Sequence, residues 1–118
     1  MKLRIKANSL RLRLTQGEVA HLAQHGSVVE QMNMAGAVLE YAVHSADVQS
    51  ITADLDSDSL VVTLPAAMVQ SWADSAEVSL QDQHGPLKIL VEKDFACLVP
   101  RDGEDDADAY PHPGQEAC

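Results

Sequence analysis

At 118 residues the chain has the length of one domain and can bury a core without disulfide or metal staples. Apolar residues make up 46% but aromatics only 3%, so the core must come from Leu, Val, Ala, Ile and Met, and dimerisation would supplement it naturally. A formal net charge of −10 argues against nucleic acid and anionic membrane surfaces as main partners, because both require a positive footprint.

The opening MKLRIKANSLRLRL reads as two strands, 3–6 and 9–14, joined at Ala7 and Asn8. Charges stand where a signal peptide needs its apolar region, and no apolar run approaches about 18 residues. The expectation is a cytoplasmic, bacterial-type protein with Cys97 and Cys118 reduced. Thr15 and Glu18 form a capping box that opens a helix over 16–25, with Gly26 suited to its C-terminus. Strands over 28–32, 38–44, 49–55 and 60–64 follow. Pro65, favoured at a first helical position, introduces a helix over 66–74, and strands over 78–81 and 87–92 complete the pattern.

Sliding the chain against itself by 50 residues reveals an internal repeat. SLRLRLTQGEVAHLAQHGSVVEQ then lies on SLVVTLPAAMVQSWADSAEVSLQ without a gap, with identities that include Leu14/Leu64, Val19/Val69, Val28/Val78 and Gln31/Gln81. The matches fall on core positions: alternate residues of a strand, then one helical face of Val19, Leu22, Ala23 against Val69, Trp72, Ala73. The expected fold is α+β and mostly antiparallel, barrel- or sandwich-like, built from two pseudo-symmetric ββαββ units over about 1–46 and 47–94. A ferredoxin-like pair of β-α-β units with an extra hairpin over 38–55 is the alternative. Residues 95–118 fall outside the repeat and read as an acidic C-terminal arm anchored by Tyr110.

Five of the eight cations lie in the first 13 residues. Strand alternation puts Lys2, Arg4 and Lys6 on the same side as Arg11 and Arg13, opposite the leucines. Arg4, Arg11 and Arg13, with Arg101 from the arm, are candidate donors to a phosphate or carboxylate ligand. A structural alternative is pairing of this strand with its repeat, TADLDSDS, which sets Arg4 against Asp54 and Lys6 against Asp56. The near-absence of aromatics disfavours base stacking.

No phosphate loop, nucleophile elbow or HExxH motif is present. His21 and His25 have metal-binding spacing but point to solvent. The arm carries the one cluster of soft and hard ligands, Cys97, His112 and Cys118 beside five acids between Asp102 and Asp108. It would suit zinc or another transition metal, although no established finger has this spacing.

MKLRIKANSLRLRLTQGEV at the start and EKDFACLVPRDGEDDADAYPHP near the end resemble the two signature blocks of a family of short bacterial proteins of unknown function. The resemblance implies no activity or cofactor. The leading expectation is a non-enzymatic binding or adaptor module, a homodimer, that takes a protein partner or a small anion. The alternatives are a metal-binding protein using the arm and an enzyme acting on an anionic substrate. A deep cavity lined by Arg11, Arg13 and acids would favour the enzyme.

Overall fold

Leu10, Leu12 and Leu14 alternate with Ser9, Arg11 and Arg13, so a strand here turns one wholly apolar side inward. The computed structural model, which describes residues 1–95 and Tyr110, places them in that way. Eight strands and two helices follow in the order β1 (Lys2–Lys6), β2 (Ser9–Leu14), α1 (Gln16–His25), β3 (Ser27–Met34), β4 (Ala37–Ala46), β5 (Thr52–Asp56), β6 (Ser59–Pro65), α2 (Ala66–Ala73), β7 (Ser79–His84) and β8 (Leu87–Lys93). This is the expected α+β, largely antiparallel chain with two short helices.

The strands divide between two four-stranded sheets, β1-β2-β8-β7 (sheet I) and β3-β4-β6-β5 (sheet II). Neither closes into a barrel, and the division sets aside the single sheet of a ferredoxin-like arrangement. Each sheet is two antiparallel hairpins joined by one parallel pair, β2 with β8 and β4 with β6. The two ββαββ segments therefore trade hairpins, and exchanging them turns one strand order into the other. β1 and β5 end up as edge strands of different sheets, which overturns the pairing of Arg4 with Asp54 and Lys6 with Asp56. The reason lies in burial: the strands with the most buried inner sides, β2, β8, β4 and β6, take the central places, and the short charged strands are left at edges.

Register corrects the gapless repeat as well. Leu12 pairs with Val91 and Val62 with Val43, while Val91 pairs with Leu80 and Val43 with Val28. The counterpart of Val28 is thus Leu80, and Val78 is an exposed loop residue. The turn after α2, residues 74–78, accounts for the offset, where a single Gly26 links α1 to β3.

The helices form for reasons that can be read locally. Thr15 Oγ1 accepts from the Glu18 N–H at 3.3 Å, and Glu18 Oε1 accepts from the Thr15 N–H at 2.9 Å, completing the capping box. Gly26 ends α1 at φ 87°, where an L side chain would be strained, and its N–H donates to Leu22 O at 2.9 Å. α2 starts with no side-chain cap, since Pro65 closes β6 and stands just before the first helical turn. Val19, Leu22, Val69 and Trp72 are buried between the helices and the inner sides of the sheets. Each such side chain contributes about 1.5–3 kcal/mol on leaving water.

Two contacts lock the sheets together at matching places. The Met1 amino group donates to Glu30 Oε1 at 3.2 Å, from the start of β1 to β3. The Ile51 N–H donates to Asp82 Oδ2 at 3.1 Å, from the start of β5 to β7. Met1 also pairs with Glu18 at 2.6 Å, and its carbonyl accepts from the Tyr41 hydroxyl at 3.3 Å. Burial, then the nearby Glu30 and Glu18 charges, push that phenol above its ordinary value.

Candidate functional site

The outward side of sheet I is a grid whose rows run across the strands. Register sets Lys6, Ser9, Lys88 and Gln83 in one row, Arg4, Arg11, Leu90 and Gln81 in the next, and Lys2, Arg13, Glu92 and Ser79 in the third. Strands lie about 4.8 Å apart and rows about 6.8 Å apart, so neighbouring charges fall within one ligand's reach. Six of the chain's eight Lys and Arg residues share this side.

Arg4 stands directly opposite Arg11, and Lys2 directly opposite Arg13. Like charges at facing positions weaken a sheet. Among the described residues, Glu92 and Asp94 answer them. Glu92 Oε1 accepts from Arg13 Nε at 2.7 Å and lies 3.4 Å from Arg11 Nε. Lys2 Nζ reaches Asp94 Oδ2 at 3.1 Å. An open depression of about 220 Å³ lies among Arg4, Lys6, Ser9, Arg11 and Leu90. A second, of about 520 Å³, continues it past Lys88 and Gln83. Arg13 lines neither.

The end of β8 holds two buried charges. Lys93 is 5% exposed; its ammonium donates to Ser75 O at 2.8 Å and lies 5.1 Å from the Tyr110 ring centroid and 6.0 Å from that of Trp72. Desolvation lowers its pKa, partly offset by Glu77. Asp94 is 3% exposed, and its Oδ1 has no hydrogen-bond partner. The Tyr110 N–H donates to Asp94 O at 2.7 Å and its ring meets Phe95 at 5.5 Å, so Tyr110 packs against the end of β8.

Of the candidate residues, Arg4, Arg11 and Arg13 are brought together, while Arg101, Cys97, His112 and Cys118 lie outside the described residues. Among the described residues no His, Cys, Asp or Glu group is arranged to hold a metal ion. His21 and His25 are exposed, their rings 4.6 Å apart. His84 accepts the Ala53 N–H at 3.1 Å. Lys88 and Glu92 escaped notice as members of the basic face. KILVEK does alternate them against Ile89 and Val91, but nothing local reveals that β8 runs parallel to β2.

With this geometry in view, comparison with known families is decisive at one level. A model described as a family of unknown function, DUF7009, matches residues 1–114. The chain belongs to that family. The match spans the whole basic face and stops short of Cys118. No curated protein and no solved structure matches the chain. Among the described residues no helix is long and apolar enough to cross a membrane.

Proposed function

We propose that this DUF7009 chain is a non-enzymatic binding module whose basic outer face on sheet I takes a carboxylate-rich protein partner. The supporting observation is the six-cation grid in a chain of net charge −10, with two like-charged pairs facing each other across β1 and β2. Holding those charges together costs stability, and an incoming row of carboxylates would recover it. The open depressions suit a surface partner rather than an engulfed substrate. No aromatic side chain stands in the three rows to stack a base.

Fluorescence anisotropy with a labelled pentaglutamate peptide tests this. Arg4→Ala with Arg11→Ala should weaken binding about tenfold, roughly 1.4 kcal/mol. Asp54→Ala with Asp56→Ala, in sheet II, should leave it intact or tighten it slightly. Equal affinity for wild type and the arginine double variant would remove the proposal.

We also infer that the two ββαββ segments arose by duplication. The matching strand orders and the paired Met1–Glu30 and Ile51–Asp82 contacts support it. Family sequences whose halves resemble each other no better than chance would count against it.

A further inference from the structure

The occupant of the basic face can be named from the chain itself. Between Leu14 and Leu87 there is no Lys or Arg, so sheet II carries none. Its outward grid follows the same register as sheet I: Asp56, Ser59, Glu40 and Gln31 form the first row, and Asp54, Val61, Ala42 and Val29 the second. At three positions the sign reverses, while Lys2, Arg11 and Arg13 give way to the neutral Thr52, Val61 and Thr63. Asp56 stands where sheet I has Lys6, Asp54 where it has Arg4, and Glu40 where it has Lys88, whereas Ser59 repeats Ser9. Asp54 and Asp56 are exposed, and Glu40 is half-buried beside Ser59, whose hydroxyl donates to it at 3.4 Å.

We propose that the partner of the sheet I face is the sheet II face of a second copy of this chain; this rests on the acidic-partner reading above. Turning one face over about its strand direction, with Ser9 over Ser59, brings Lys6 opposite Glu40 and Lys88 opposite Asp56. Both pairs follow from the strand orders alone. Arg4 then lies over the buried Ala42 and Arg11 over the half-buried Val61, whose apolar surface its methylenes cover. Because each copy offers a different surface, the contact is head-to-tail. It builds rings or open chains, not the two-fold dimer that a core poor in rings invites.

Sedimentation velocity of the full chain, with two charge-reversed variants, decides the matter. One carries Arg4→Glu, Lys6→Glu and Lys88→Glu; the other carries Glu40→Lys, Asp54→Arg and Asp56→Lys. Wild type should form species larger than one chain, and each variant alone should sediment as a monomer. Mixed in equal amounts, the two should assemble again, since unaltered face meets unaltered face and reversed face meets reversed face. A chain carrying all six reversals should self-associate again, which guards against loss of association through misfolding. A monomeric wild type, a variant that still assembles, or a mixture that stays monomeric overturns the proposal. Binding of pentaglutamate to the sheet I face in that event leaves the acidic-partner reading standing with a different protein as partner. If pentaglutamate binding is indifferent to the sheet I reversals, that reading falls instead.

Discussion

Sheets I and II are the same arrangement of strands turned to opposite electrostatic ends. Inside, the equivalents are conservative: Leu12 with Val62, Leu14 with Leu64, Val91 with Val43, and Leu80 with Val28, all buried. Outside, Arg4, Lys6 and Lys88 become Asp54, Asp56 and Glu40, and Glu92 becomes His44. An inward residue is held to apolar character by the water it excludes, at about 25 cal/mol per Å². An outward residue in a strand is held by far less, so its charge is free to be set by what it meets. The difference between the sheets therefore separates what makes the chain fold from what makes it recognise.

The largest test of the inner equivalence is at the helices. Trp72 and Leu22 occupy matching core positions, and both are 0% exposed. Trp72→Ala should cost about 3–5 kcal/mol in urea unfolding, against about 2–5 kcal/mol for Leu22→Ala. The indole should come out higher, because its Nε1 also donates to Val78 O at 3.1 Å. A smaller loss for Trp72→Ala would mean that the turn after α2 collapses to fill the space, so that the two halves yield differently. The helix starts break the symmetry in the other direction. Thr15→Ala removes a reciprocated cap and should cost about 1 kcal/mol, whereas Ala66→Ser, just inside the uncapped α2, should change little.

A third test bears on the matched locks. Asp82 accepts from the N–H groups of Gln83 and Ile51, and these bonds, more than any charge, hold its carboxyl below the ordinary value of 3.8. A carboxyl depressed in the folded state stabilises above its unfolded pKa and loses that contribution as pH falls through the folded one. Asp82→Ala should therefore lower Tm at neutral pH, and the gap to wild type should close below about pH 4. A gap that persists into acid would assign the loss to packing instead of to the carboxylate.

What could be read from the residues, and what could not, follows the same inside–outside line. Period-two leucines and the Thr15–Glu18 box are local signals, and they located β2 and α1 to the residue. The charged side of the first hairpin was legible for the same reason. Its neighbour was not: Ser9 pairs with Lys88 across 79 residues of chain, and no local pattern distinguishes that parallel partner from the acidic strand 50 residues on. A repeat reveals that two segments are alike without revealing that they trade hairpins. The two-residue offset of Leu80 from Val28 was hidden by Val78, a chance identity in an exposed turn.

The smallest effect is the most pointed, because it concerns the one acid inside the basic rows. Glu92 stands where sheet II has His44, and its Oε1 serves both Arg13 and Arg11. An incoming carboxylate has to compete with it for the two guanidiniums. Glu92→Gln keeps the shape and an acceptor oxygen but removes the charge, and it should tighten pentaglutamate binding about fivefold, just under 1 kcal/mol. The pairs are partly exposed, so the gain should shrink on raising salt. Unchanged affinity would place the ligand at the Lys6 and Lys88 end of the grid, clear of Arg13. Weaker affinity would make Glu92 a positioning residue that holds the two guanidiniums in the orientation an acidic partner meets.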